Sequence, residues 1–136
     1  MKSGTSILLI DDENNVLLSR EYKYALERND INLPGWAMDH WESPLECAQR
    51  ELEEELGYTA EEWISLWYIH PLTTLLKQTE YLFLAKEIHK TKKHEDEWEE
   101  IEEIRLPYEE VLSMVLESEI THAGSVVTIL KAQKYL

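Results

Sequence analysis

The sequence is poor in cysteine and glycine and has no long apolar run, and each shortage excludes a class of protein. A single cysteine, Cys47, allows no intramolecular disulfide and no thiolate cluster for zinc. Four glycines form no glycine-rich phosphate loop. No segment approaches the roughly 20 apolar residues of a membrane span, and the first residues lack a signal peptide's cleavage site. We therefore expect a cytoplasmic protein that does not enter membranes.

Basic residues are also scarce. The chain has 13 lysines and arginines and 28 acidic residues, so its net charge is -15. Such a field repels nucleic acid and anionic lipid surfaces, so we expect neither as a partner. An acidic protein that handles phosphates needs cations as intermediaries. The length of 136 residues fits a single domain, 1–136, with a core of its own.

The order of apolar runs and turn formers predicts an α/β fold with a mixed sheet between helices on both faces. Strands are predicted at residues 5–10, 16–22, 31–33, 63–70, 79–89 and 101–106. Helices are predicted at residues 44–56, 107–117 and 121–135. The strand at 79–89 is largely apolar, which favours a central position in the sheet.

The first helix has the most consistent signals in the chain. Ser43 is a good N-cap, Pro44 occupies the first helical position, and Glu46 completes a capping box. Gly57 is the expected C-terminal stop. The apolar stripe that would face the core, at steps of three and four residues, consists of Leu45, Ala48, Leu52 and Leu56.

The same helix carries three carboxylates on one face, because Glu51, Glu54 and Glu55 stand at positions i, i+3 and i+4. Like charges at this spacing repel each other, so a cation would have to offset them if they converge. Hard divalent cations prefer oxygen ligands, and magnesium binds a few carboxylates together with substrate phosphates. The alternative is an acidic helix face that is simply solvated.

The stretch 33–58 closely resembles the Nudix box, G-x5-E-x7-R-E-U-x-E-E-x-G-U, where U is a bulky apolar residue. Glu42 takes the first acidic position, residues 50–52 match R-E-U, residues 54–55 match E-E, and residues 57–58 match the closing pair. Eight of the nine specified positions match, and the exception is Trp36, which stands at the opening glycine. The resemblance implies the Nudix fold, an α/β/α sandwich with a mixed sheet.

The resemblance also implies a role for each matched residue. Arg50 would orient the carboxylates by ion pairing, and Glu42 would support the loop and contribute to a metal. The magnesium ligands, which could also hold manganese, would be the backbone carbonyl of Trp36 and the side chains of Glu51, Glu54 and Glu55. Such enzymes hydrolyse a nucleoside diphosphate linked to another moiety, with a metal-activated water as the attacking group.

A general base is expected from outside the helix. The acidic segment 94–102 precedes a predicted strand and offers Glu97, Glu99 and Glu100. We select Glu99 as the catalytic candidate, and the alternative is an acidic loop with no chemistry.

Beyond the box, weaker matches resemble the ADP-ribose pyrophosphatase group. They imply that Arg20, Tyr22 and Trp36 contact an ADP-ribose-like substrate, a small molecule. Members of that group usually form a homodimer through an extra N-terminal strand region, whereas this chain begins almost directly at the core hairpin. Whether the chain forms a homodimer and whether it is specific for ADP-ribose are therefore both left open. Two other functions stay open, a Nudix-fold binding module with weak catalysis and a pyrophosphohydrolase that removes nucleoside triphosphates.

Trp36 and Trp41 occupy positions that are commonly glycine in the loop of the box. Glycine permits a positive φ and a close approach of the backbone to metal or phosphate. A tryptophan at positive φ would cost about 1–3 kcal/mol. Indole rings could stack on a base or ribose, but we expect both rings to pack against the helix.

Overall fold

The computed structural model describes residues 3–39, 41–91 and 102–136, and within them the chain forms seven strands and three α-helices. The strands are β1 Gly4–Ile10, β2 Asn15–Lys23, β3 Arg28–Asn32, β4 Gly35–Ala37, β5 Tyr58–Ile69, β6 Glu80–Lys90 and β7 Glu102–Pro107. The helices are α1 Pro44–Glu51, α2 Tyr108–Leu116 and α3 Ala123–Ala132. A π-helical turn, Leu52–Leu56, extends α1, and a 3₁₀ turn, Gln133–Tyr135, follows α3.

The strands form one mixed sheet with the order β3-β2-β1-β6-β5. The neighbours β1 and β6 run parallel, and the other pairings are antiparallel. Off this path, β4 pairs with the first half of β1, and β7 pairs with β2. Because β6 lies between β1 and β5, the predicted central position of this apolar strand is confirmed.

Alternate residues of the central strands point to two separate apolar cores. Ile7 and Leu9 of β1 pack with Ala48 and Leu52 below α1 and the π-turn. On the opposite face, the core that includes α2 and α3 is formed by Leu8, Leu18, Leu84, Val111 and Ile129. The α/β fold with a mixed sheet between helices is thus confirmed.

Two strands begin three or more residues before their predicted start, and the short strand β4 lies outside every predicted strand. Strand β5 begins at Tyr58 rather than at residue 63, and β3 covers Arg28–Asn32 rather than 31–33. Both strands lie at the edges of the main sheet path, where a polar residue such as the exposed Glu61 can face solvent. Among the described residues, no helix combines the length and apolar character needed to span a membrane.

The short strand β4 depends on Gly35, which lies against the backbone of β1. A Cβ atom at this position would lie 2.2 Å from the carbonyl oxygen of Thr5. The φ angle of Gly35 is not positive, so the glycine serves close approach and not a left-handed turn. This contact fixes the strand that leads into the loop before α1.

We expect Gly35→Ala to destabilise the protein by about 1–3 kcal/mol, because the added methyl group must displace a backbone carbonyl. Ala37→Val is the matched control, since Ala37 is an exposed residue of the same strand. Urea unfolding would measure both variants, and equal stability of Gly35→Ala and wild type would contradict the close packing of β4 on β1.

Candidate active site

The N-terminus of α1 has the predicted capping box. The Glu46 N–H donates to Ser43 Oγ at 3.1 Å, and the Ser43 N–H donates to Glu46 Oε1 at 2.9 Å. The predicted apolar stripe is partly wrong, because Leu45 is exposed whereas Cys47 is fully buried. Leu45 lies in the first turn of α1, and Cys47 occupies the buried position instead. Burial raises the pKa of the Cys47 thiol to about 12, so we assign this residue to packing.

The second half of the predicted helix is a π-helical turn rather than a continuation of α1. The turn contains Glu54 and Glu55 and ends at Gly57, which has the left-handed φ of 73° and confirms the predicted stop. Its backbone N–H donates to the carbonyl of Glu53 at 3.1 Å. Single π-turns inside helices occur frequently at functional sites, and this one changes the direction of the last two predicted ligands relative to Glu51.

Arg50 lies at the centre of the acidic cluster. Its guanidinium donates two hydrogen bonds to Glu42, from Nε to Oε1 at 3.1 Å and from Nη2 to Oε2 at 2.9 Å. It also donates to Glu54 at 3.1 Å and to Glu51 at 3.4 Å, and it lies 3.6 Å from Asp39. One cation therefore connects the loop before α1 with the predicted metal ligands. Sequence reasoning assigned the role of Arg50 but missed Asp39, which is not a specified position of the box.

Glu42 acts as a clamp, because it joins the loop before α1 to Arg50 of the helix. Its side chain is only 7% exposed. Besides the two hydrogen bonds from Arg50, Glu42 Oε2 accepts the N–H of Asp39 at 3.2 Å. The hydrogen bonds from Arg50 lower the pKa of Glu42 to about 2, despite its burial. Because both oxygens of Glu42 are occupied in this way, its support of the loop is better founded than its predicted contribution to a metal.

The depressed pKa of Glu42 predicts a specific loss of stability in acid. The ordinary value of 4.5 applies to the unfolded chain, and the folded value is about 2. The ionised pair therefore stabilises the fold fully above pH 4.5, and this contribution is lost as the pH falls toward 2. We expect the urea midpoint of the wild type to fall more between pH 5 and pH 2.5 than that of Glu42→Gln. Parallel curves for the two proteins would contradict the assignment.

Glu51 is in a different electrostatic situation from Glu42. Its side chain is 18% exposed, and burial raises its pKa, with further increases from Glu55, Glu54 and Glu42 that oppose the lowering by Arg50. An excess of negative charge remains at Glu51, and a divalent cation would relieve it. In the parts of the chain that the structure describes, no three acidic, histidine or cysteine side chains converge tightly enough to form a preformed metal site. The donor chemistry thus fits magnesium, and the side chains would have to draw together around it.

Trp36 does not adopt a positive φ, so the strain that its position suggested is absent. The ring of Trp36 is half-buried and packs against the core below α1, as predicted. Its carbonyl, the predicted ligand, accepts a long hydrogen bond of 3.4 Å from Thr5 Oγ1. Trp41 is 76% exposed, so the expectation that its ring would pack into the helix surface is wrong. Trp41 lies between Asp39 and Glu42, where the Glu42 N–H donates to the Asp39 carbonyl at 3.3 Å.

The structure does not bring Arg20 and Tyr22 together with the carboxylates. Arg20 pairs across the strands with Ile31, whose side chain belongs to the core on the α2 and α3 face, and it donates to Glu102 at 2.9 Å. Tyr22 lies two residues after Arg20 in β2, so its side chain is on the same face of the sheet, and its ring forms an edge contact with Tyr24. Their predicted role in substrate binding stays a prediction. Glu97, Glu99 and Glu100, the candidates for the general base, lie outside the described residues.

Comparison with known proteins decides the family. The model of the NUDIX domain matches residues 2–126, which include the loop, α1 and the π-turn. The chain belongs to the NUDIX family. The Nudix box of this family thus corresponds to the segment in which Glu42, Arg50, Glu51 and Glu54 meet.

Nudix relatives resemble the chain over nearly its whole length. It is 29% identical over 130 residues to an ADP-ribose pyrophosphatase of Bacillus subtilis strain 168, covering 93% of this chain and 69% of that protein. It is 28% identical over 130 residues to a methanol dehydrogenase activator of Bacillus methanolicus, with the same coverage. The ADP compounds hydrolase NudE of Escherichia coli K12 is 23% identical over 128 residues, covering 94% of this chain and 68% of that protein.

A solved structure confirms the Nudix fold. The crystal structure of an ADP compounds hydrolase superimposes with a TM-score of 0.80 at 21% identity, covering 98% of this chain and 72% of that chain. The carboxylate helix, which is α1 with the π-turn that follows it, carries Glu51, Glu54 and Glu55. Together with the family match and the curated relatives, it identifies the protein as a Nudix hydrolase.

Proposed function

We propose that this Nudix hydrolase cleaves the diphosphate bond of ADP-ribose or a similar nucleotide sugar in a magnesium-dependent reaction. The observation that carries the proposal is the cluster around Arg50, where one guanidinium contacts Glu42, Glu51 and Glu54 at 2.9–3.4 Å. Such a cluster concentrates carboxylate oxygens at one site while keeping the helix folded. The names of two relatives, an ADP-ribose pyrophosphatase and an ADP compounds hydrolase, support the choice of substrate.

Each residue of the cluster has a distinct part in this proposal. Glu51, Glu54 and Glu55 would hold the metal with the carbonyl of Trp36, and Glu42 keeps Arg50 in place between the loop and the helix. A bound divalent cation would neutralise the diphosphate and lower the pKa of a water molecule. Arg50 limits the mutual repulsion of the carboxylates before substrate binds. A base from the segment that contains Glu99 would accept the proton of the attacking water.

The test is a substrate panel measured with magnesium, with manganese and with a chelator. ADP-ribose, a nucleotide sugar and a nucleoside triphosphate represent the three kinds of substrate, and chromatography would follow the nucleoside monophosphate released. We expect turnover of ADP-ribose to exceed that of the triphosphate and to stop with chelator. Preferential cleavage of the triphosphate would support the housecleaning activity instead. Binding of ADP-ribose without turnover would identify a binding module.

A further inference from the structure

The side chain of Tyr58 connects the end of the carboxylate helix with two strands that are distant in sequence. Tyr58 follows Gly57 directly and is only 3% exposed. Its hydroxyl donates to Glu103 Oε2 at 3.0 Å and accepts from Arg105 Nη2, also at 3.0 Å. Both partners belong to β7, so the phenol bridges the helix end to this strand.

The end of β6 meets the same tyrosine from the other side. Lys90, the last residue of β6, pairs with Tyr58 and places Nζ 4.9 Å from the centre of its ring. The Thr91 N–H donates to the carbonyl of Gly57 at 2.7 Å. The end of β6 and the start of β7 thus both contact the two residues that close the Nudix box, Gly57 and Tyr58.

These contacts lie on the face of the sheet that carries α1. Arg105 pairs with Leu17, a residue of the core below α1, and Glu103 is on the same side of β7 two residues earlier. Arg105 is fixed further by Asp11, to which Nη1 donates at 2.9 Å. A bulky apolar residue would satisfy the last box position by packing alone, but the hydroxyl adds two hydrogen bonds that reach across to β7.

We propose that the hydroxyl of Tyr58 is a positioning group for hydrolysis, which holds the end of the π-turn that carries Glu54 and Glu55 against β7. This inference rests on the proposed function, because it concerns the position of Glu54 and Glu55, two of the proposed metal ligands. Mutation of groups that support metal ligands typically costs about 10–100-fold in metal affinity or activity. Tyr58→Phe keeps the ring, its packing and the contact with Lys90, and it removes only the two hydrogen bonds.

Tyr108 offers a matched control on the opposite face. It is also buried, and its hydroxyl donates to the carbonyl of Ile129 at 2.6 Å. We expect Tyr58→Phe to lower kcat about tenfold with KM little changed, whereas Tyr108→Phe leaves kcat as in the wild type. Glu103→Leu, which removes the acceptor, should also lower kcat, and the double variant Tyr58→Phe/Glu103→Leu should lose little more than Tyr58→Phe alone.

Hydrogen exchange adds a readout that does not depend on turnover. The amides of residues 103–105 should exchange faster in Tyr58→Phe than in wild type and Tyr108→Phe. Equal kcat in the two phenylalanine variants, or unchanged exchange in β7, would overturn the positioning role while leaving the proposed function intact. If the wild type hydrolyses none of the panel, the proposed function and the role of Tyr58 in it both fail.

Discussion

Glu51→Gln is expected to lower kcat for ADP-ribose at least about 100-fold, because the variant removes a predicted metal ligand at the least exposed position of the three. Stabilisation of transition-state charge by a bound metal is worth several kcal/mol, and each 1.4 kcal/mol or so is a factor of ten in rate. Glu55→Gln should show a loss of the same order. The measurement is steady-state hydrolysis over a range of magnesium concentrations.

The fold of Glu51→Gln should survive, which separates lost chemistry from lost structure. Burial raises the pKa of Glu51, so the ionised carboxylate is unfavourable near neutral pH and a neutral amide removes that cost. We expect the melting temperature without metal to equal or exceed that of the wild type. Glu53→Gln is the matched control, because Glu53 is an exposed glutamate in the adjoining π-turn but is not a predicted ligand. Full activity of Glu51→Gln would contradict the proposed metal site.

Arg50→Met is expected to cause the largest combined loss of stability and activity. Without the guanidinium, the nearly buried Glu42 keeps its charge with no bidentate partner, and Glu51 and Glu54 lose the cation between them. Removing one partner of such a pair leaves an uncompensated charge, which is more harmful than removing both. Thermal unfolding should therefore shift to lower temperature, and kcat should fall by about 10–100-fold, as for groups that orient metal ligands.

Three further variants distinguish this mechanism from a general effect of lost charge. Arg50→Met/Glu42→Gln should recover part of the stability, because the unpaired carboxylate of Glu42 is replaced by a neutral amide. Arg50→Lys should recover less than full activity, since an ammonium group cannot reproduce the two parallel hydrogen bonds to Glu42. Lys23→Ala removes a cation from the exposed pair with Glu21 and should change little. If Arg50→Met melts like Lys23→Ala, the clamp between loop and helix has no structural role.

The structure changes the interpretation of the two tryptophans in the loop. The sequence alone places Trp36 and Trp41 at positions commonly occupied by glycine, where a positive φ would impose strain. The backbone instead continues from β4 as an extended strand paired with β1, and Gly35 provides the close approach one residue earlier. Trp36 is therefore part of a paired strand and is not a left-handed residue. This arrangement favours an intact site over a damaged one.

The amino-acid sequence by itself determined the fold class, the capped start of α1, its glycine stop and the residues of the box. These features follow from local rules, namely hydrophobic period, capping chemistry and fixed spacing along one helix. Only the tertiary structure decided that α1 ends in a π-turn, that Leu45 faces solvent, that Asp39 joins the cluster and that Glu103 and Arg105 meet Tyr58. These features depend on contacts between strands and loops that are distant in the chain, and no local pattern encodes such contacts.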